Sequence, residues 1–306
     1  MTTKFDDRKV FIKRSENYIL EFEKLEITDE VRVLQSGSFV KISDGMVHYE
    51  LEGPRSGEIV ALVHGLTTPL FIWDPMFEML TKEGFRVLRY DLFGRGYSDR
   101  PKVKYNKDFY DRQLFELLTE LKLTKQSINI IGLSLGGAIC TNFAINHSNL
   151  VKRVVLIDSA FPSKMPKKLK LLRIPVLNKL MFKIANPKAL IAGMSKNFYR
   201  IENFPDYSGK FTEQMQYKGY TRAVISTIVD GDFQKIPERY KKLGELNIPV
   251  QLFWGEYDAL IPYENIEKLI EAIPNILFHP IEKAGHVSNY ERPDLVNPLL
   301  LKFLKS

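Results

Sequence analysis

The 306 residues, 44% hydrophobic and 12% aromatic, suffice for one large α/β domain with an insertion or for two ordinary domains. The single cysteine, Cys140, excludes an intramolecular disulfide, and no run approaches the roughly 18 apolar residues of a membrane span. The net charge of +7 is concentrated between Ser159 and Lys235, where 14 Lys/Arg stand against 5 Asp/Glu, and with no nucleic-acid motif beside it the sequence reads as having no nucleic-acid partner.

Residues 1–36 mix charges with scattered apolar positions (Phe11, Ile12, Tyr18, Leu20, Phe22, Leu25), which predicts an N-terminal extension holding one amphipathic helix packed outside the domain. Met1 to Lys13 is charged throughout and lacks an apolar signal-peptide core, so the expected location is cytoplasmic, or at most peripheral to a membrane. From Ser38 the pattern changes. Phe39–Ile42 and Met46–Leu51 flank Asp44-Gly45 and predict a hairpin. Short β-branched runs follow at Ile59–His64, Phe85–Asp91, Ser127–Leu133, Val151–Asp158, Ile248–Trp254 and Asn275–Ile281. Between them lie helical patterns near Pro75–Lys82, Asp108–Leu121, Leu135–His147 and Tyr263–Ala272. Near-continuous apolar strands alternating with helices predict a mainly parallel sheet covered on both faces, with ligands at the carboxyl ends of its strands. Core segments are expected at 37–158 and 236–306. Residues 159–235 break the alternation, being basic and rich in aromatics and Met, and read as an inserted helical cap.

The carboxyl ends carry His64-Gly65-Leu66, Asp91, Ser134, Asp158, Asp258 and His286. Ser134 lies in Gly132-Leu133-Ser134-Leu135-Gly136, where a strand meets a helix, a pattern that lifts a hydroxyl out of a sheet beside free helix N–H groups. A serine hydroxyl needs a base to take its proton, an anion to orient that base, and donors for the oxyanion. Of the five histidines, His286 in Lys283-Ala284-Gly285-His286 follows the last strand on the required face. His48 is on an outer hairpin, His64 suits a structural role in the loop after the first parallel strand, His147 ends a helix pointing away, and His279 is inside a strand. The acid is Asp258, with Asp158 as the alternative. The backbone N–H groups of Leu66 and Leu135 are the candidate oxyanion donors. Cys140 reads as a small buried residue, and nothing in the sequence calls for a metal or cofactor.

Together with Asp91-Leu92-Phe93-Gly94-Arg95-Gly96-Tyr97-Ser98-Asp99 and Trp254-Gly255-Glu256-Tyr257-Asp258, these motifs resemble the α/β-hydrolase fold superfamily, in its serine hydrolase branch. The resemblance implies a Ser134–Asp258–His286 triad acting on carboxylic esters through an acyl-enzyme intermediate, and makes Asp91, Arg95 and Ser98 a structural brace. Serine at position 134 speaks against the haloalkane dehalogenase and epoxide hydrolase branches. The loop after Gly65 lacks the Gly-rich stretch of His-Gly-Gly-Gly lipases and of carbon–carbon-bond hydrolases acting on ring-cleavage products. Other readings of the same three residues are a monoacylglycerol-type lipase, a carbon–carbon-bond hydrolase and a perhydrolase; from another class comes a non-catalytic receptor on a hydrolase shell. The expected partner is a small-molecule ester or lipid-like substrate. Leu169–Pro175 and Leu177–Ile184, basic and amphipathic, add a peripheral contact with an anionic membrane as a candidate. Pro298 should kink the terminal helix or delay its start.

Overall fold

The computed structural model describes residues 22–161, 191, 193–261 and 264–306. The amphipathic stretches Leu169–Pro175 and Leu177–Ile184, the apolar positions of residues 1–21 and the start of the pattern at Tyr263 lie outside the described residues.

Among the described residues eight strands form one sheet. In chain order they are β1 (Ser38–Ile42), β2 (Gly45–Glu52), β3 (Ile59–Val63), β4 (Arg86–Tyr90), β5 (Ile128–Leu133), β6 (Val151–Ile157), β7 (Val250–Gly255) and β8 (Leu277–Ile281). Their spatial order is β1-β2-β4-β3-β5-β6-β7-β8. β1 and β2 pair antiparallel around the tight turn at Ser43-Asp44, β2 pairs antiparallel with β4, and every later pairing is parallel. The six parallel strands fall within two residues of the apolar runs read from the sequence.

The reason those runs are continuous is visible in β3. Ile59, Ala61 and Val63 pack into the core on one face, while Val60 and Leu62 pack into the core on the other. Successive side chains alternate across a strand, so a strand covered on both sides has no polar position to give. The short α1 (Asp29–Val33) buries none of its residues, and the covering helices of the first half are α2 (Asp74–Lys82), α3 (Lys107–Glu120) and α4 (Leu135–Asn146). α3 starts where Asn106 accepts the Phe109 amide at 2.9 Å, a cap worth about 1 kcal/mol. Between β6 and β7 the chain inserts helical segments that include α5 (Tyr207–Glu213) and α6 (Tyr220–Asp230), and α7 (Ile236–Gly244) leads back to the sheet. Among the described residues α8 (Glu264–Ala272), the short α9 (Ser288–Glu291) and α10 (Pro293–Leu304) follow.

Two expectations are corrected. From Phe22 onward the N-terminal segment is not one helix: Leu25 bridges Tyr217 of the insertion, and only Asp29–Val33 is helical. Pro298 does not delay the terminal helix, which begins at Pro293 and runs through it. Pro298 falls in the second turn, so a single backbone bond is forgone, and Val296, Leu300, Phe303 and Leu304 still bury one apolar face. Among the described residues, no helix is long and apolar enough to cross a membrane.

Candidate active site

β5 ends at Leu133 and α4 begins at Leu135, leaving Ser134 to make the whole turn. It does so at φ 52°, ψ −117°, a left-handed backbone that costs a non-glycine residue about 1–3 kcal/mol. The turn is tight because α4 starts directly against the sheet. A Cβ on Gly136 would sit 1.9 Å from the Val63 carbonyl oxygen of β3, and one on Gly132 would sit 2.3 Å from the Gly136 oxygen. The motif's two glycines thus permit the close approach that aims the hydroxyl away from the strand. Cys140 lies buried in α4, where burial pushes its thiol pKa far above the ordinary value.

The loop after β8 delivers His286 to that hydroxyl. Its Nε2 lies 2.9 Å from Ser134 Oγ and its Nδ1 2.7 Å from Asp258 Oδ2. Asp258 follows β7, and its Oδ1 accepts the Leu260 and Ile261 amides at 2.8 and 3.0 Å, which fixes the carboxylate. A carboxylate can only accept, so the network assigns the proton to Nδ1 and leaves Nε2 free to take one from the serine. Burial alone would lower the His286 pKa, but the charge and hydrogen bond of Asp258, with the charge of Asp158, hold it above the ordinary value.

Asp158, the alternative acid, does not touch His286. It is fully buried, and its two oxygens each accept a backbone amide at 2.8 Å, Gly255 at the end of β7 and Ser288 at the start of α9. It braces the ends of the elements that carry Asp258 and His286. Burial and the Asp258 charge push it up to about 7, against the His286 charge and the two amide bonds.

Across the hydroxyl, a Cβ on Gly65 would lie 3.9 Å from Ser134 Oγ, so the loop after β3 faces that hydroxyl. Its consecutive carbonyls are pinned from outside. His64 Nδ1 is 2.8 Å from the Gly65 oxygen, Arg95 Nε donates to the Leu66 oxygen at 2.8 Å, and Gln214 Nε2 donates to the Thr67 oxygen at 2.5 Å. His64 Nε2 accepts the Leu92 amide at 2.9 Å, so its proton is on Nδ1 and donates to Gly65. Burial keeps it neutral, with its pKa lowered to about 4. With the Gly65 oxygen turned outward, the N–H of the same peptide, Leu66's, is turned inward. Among the described residues neither the Leu66 nor the Leu135 amide has a protein acceptor.

Behind the loop, Asp91 accepts the Leu70 and Tyr97 amides and lies 2.7 Å from His48 Nδ1. Burial would raise the Asp91 pKa, but the bond and charge of His48 carry it below the ordinary value. Ser98 donates to the Asp91 carbonyl, and Arg95 reaches Tyr110 and Thr227. His48, on the outer hairpin as read from the sequence, is therefore buried in this brace. His147 bonds Asp111 at the far end of α4, and His279 stacks on Phe253.

Three partners of the site carry no motif signature. The Asn197 carbonyl accepts the His286 amide at 2.7 Å. Glu291 accepts Gly285 at 2.7 Å together with Tyr199 and Arg200 at 3.1 Å, tying the histidine loop to the insertion. Gln214 is the third. Ser134 and His286 open on a cavity of about 290 Å³ whose apolar walls include Leu66, Leu133, Met194, Phe211, Leu260 and Val287. Among the described residues there is no group of three or more His, Cys, Asp or Glu side chains arranged to hold a metal.

A family model described as alpha/beta hydrolase fold matches residues 58–293. The chain is 25% identical over 275 residues to the AB hydrolase superfamily protein YisY of Bacillus subtilis, covering 88% of this chain and 100% of that one. It is 27% identical over 289 residues to Lipase 1 of Psychrobacter immobilis, covering 90% and 84%. Among solved structures, a thermophilic esterase from Thermogutta terrifontis matches with a TM-score of 0.73 at 25% identity, over 88% of this chain and 98% of its own.

Proposed function

The chain belongs to the alpha/beta hydrolase fold family, and from that premise we propose that it is a serine hydrolase cleaving carboxylic esters of small to medium acyl chains. The observation that carries the reading is the unbroken line from Asp258 Oδ2 through His286 to Ser134 Oγ, at 2.7 and 2.9 Å, beside an apolar cavity. The lipase and the esterase among its relatives support ester chemistry at such a site.

Ser134 Oγ adds to the ester carbonyl carbon while His286 Nε2 takes the hydroxyl proton. The carbonyl electron pair becomes an oxyanion, held by the Leu66 and Leu135 amides, each donor worth about 2.7–4 kcal/mol. Asp258 stabilises the imidazolium and keeps its own charge. Collapse of the intermediate breaks the bond to the alcohol oxygen, which receives the proton from Nε2, and leaves the acyl group on Ser134. Water then repeats the sequence and releases the acid. Residues 159–235 act as a cap, and the acyl chain lies against Met194, Phe211 and Leu260.

Ser134→Ala is expected to lose on the order of a million-fold in turnover of p-nitrophenyl esters with the fold unchanged. Retained hydrolysis refutes the reading. A fluorophosphonate probe labels Ser134 stoichiometrically in the wild type, whereas a non-catalytic receptor stays unlabelled.

A further inference from the structure

The loop that offers the Leu66 amide is not held by the sheet alone. Its last pinned carbonyl, Thr67, is bonded from the insertion by Gln214, a side chain only 2% exposed. Gln214 is used at both ends: Nε2 donates to Thr67, and Oε1 accepts the Gly96 amide of the Asp91 turn at 3.1 Å. One amide group therefore clamps the oxyanion loop to its brace. The Tyr220 hydroxyl donates to the same Thr67 oxygen at 3.5 Å.

The segment carrying Gln214 is short. Gln214–Gln216 forms one 3-10 turn, and Gly219 at φ 93° opens α6 with no side-chain cap of its own. The N-terminal segment supplies what is missing. The Glu23 and Leu25 amides donate to the Met215 and Gln216 carbonyls, and the Lys218 amide donates back to the Leu25 carbonyl, all at 2.9 Å. Glu23 Oε1 accepts the Thr221 amide at 2.7 Å, placing a carboxylate at the positive end of α6. Lys218 pairs with Glu26 at 2.8 Å. Glu23 does this at φ 51°, a backbone that L-residues rarely adopt and that the surrounding bonds must hold in place.

We propose that Gln214 is a positioning residue for the oxyanion loop, and that the strap Glu23–Glu26 holds it in register. The inference rests on the serine hydrolase reading, with Leu66 as an oxyanion donor. Without the Nε2 bond the Thr67 carbonyl keeps only the long Tyr220 contact among the described residues, and the loop carbonyls around the Leu66 N–H are held by His64 and Arg95 alone. The loss falls on the tetrahedral state, which needs the donor aimed at an oxyanion, more than on substrate binding, which is apolar.

The test uses the full chain with Gln214→Glu, Gln214→Met and Glu23→Ala. Gln214→Glu keeps the size and the acceptor for Gly96 but removes the donor to Thr67. It is expected to lower kcat on the order of tenfold or more, with KM little changed. The inhibition constant of a short-chain alkyl trifluoromethyl ketone, which forms a tetrahedral adduct on Ser134, should rise by the same factor. Gln214→Met should match or exceed this loss, and Glu23→Ala, which leaves Gln214 unaltered, should move both quantities the same way by less. Wild-type kcat and inhibition constant in folded Gln214 variants overturn the inference, as does a kcat loss with no change in the inhibition constant. Wild-type values in folded Glu23→Ala overturn the part assigned to the strap. Failure of the wild type to label with fluorophosphonate at Ser134 overturns the serine hydrolase reading and this inference with it. A labelled wild type with unaffected variants overturns this inference alone.

Discussion

Two buried carboxylates lie beside His286, and exchanging each for its amide separates their roles. In Asp258→Asn the Leu260 and Ile261 amides still require an acceptor, so the new carbonyl oxygen stays on them. The side-chain NH2 then faces His286 Nδ1, which must become an acceptor. The imidazole proton moves to Nε2 and points at Ser134 Oγ, 2.9 Å away, so the serine has no base. A wrong tautomer of this kind costs about 10⁴ in kcat, or about 5.4 kcal/mol at 1.36 kcal/mol per decade. Asp158→Asn acts elsewhere. Its two oxygens serve the Gly255 and Ser288 amides, and an Asn can accept only one of them, leaving a buried N–H opposed to an NH2. That costs about 1–3 kcal/mol of stability and far less turnover. Hydrolysis of p-nitrophenyl butyrate and urea unfolding of both variants give the comparison. If Asp158→Asn loses the turnover and Asp258→Asn keeps it, the assignment of the orienting acid is wrong.

The acid limb of the pH profile follows from the same cluster. Only neutral imidazole accepts the serine proton, and His286 is held above the ordinary 6.5, so kcat/KM should fall as pH drops through a midpoint above 6.5. Removing the Asp158 charge should move that midpoint to lower pH, and a limb that stays or rises contradicts the electrostatics. Gly136→Ala puts a Cβ 1.9 Å from the Val63 oxygen, and because that atom is backbone in the sheet, the cost should reach the top of the overpacking range, about 3 kcal/mol. A urea midpoint equal to the wild type's refutes the close seating of α4 on β3.

Much of the frame is legible in the sequence because burial on both faces leaves the parallel strands no polar positions, as Ile59–Val63 illustrates. That Ser134 makes the strand-to-helix turn is legible because the turn requires glycines at fixed distances, and that His286 comes near it because it follows the last strand. Which carboxylate meets His286 is harder to read. Asp158 and Asp258 both end strands, and they differ in which backbone amides they hold, a choice that leaves no mark in residue type. Gln214 and Glu291 are invisible for the same reason, since each bonds main chain and any polar side chain of similar reach would look alike. His48 stands on the outer hairpin as its sequence position implies, but its contact with Asp91 comes from the β2–β4 pairing, which residue type does not show. The extension from Phe22 reads as helix from its scattered apolar residues, yet its free backbone groups find partners on the insertion, and pairing prevails over periodicity.

Glu291 joins two segments that lie far apart in the chain. One carboxylate fastens both Gly285, beside His286, and the Tyr199–Arg200 amides of the insertion, so the two segments share one anchor. A displacement of residues 199–200 is thereby transmitted to the loop that carries His286. On the serine hydrolase reading, a variant that loosens the Glu291 carboxylate would therefore move the imidazole relative to Ser134 without touching either residue.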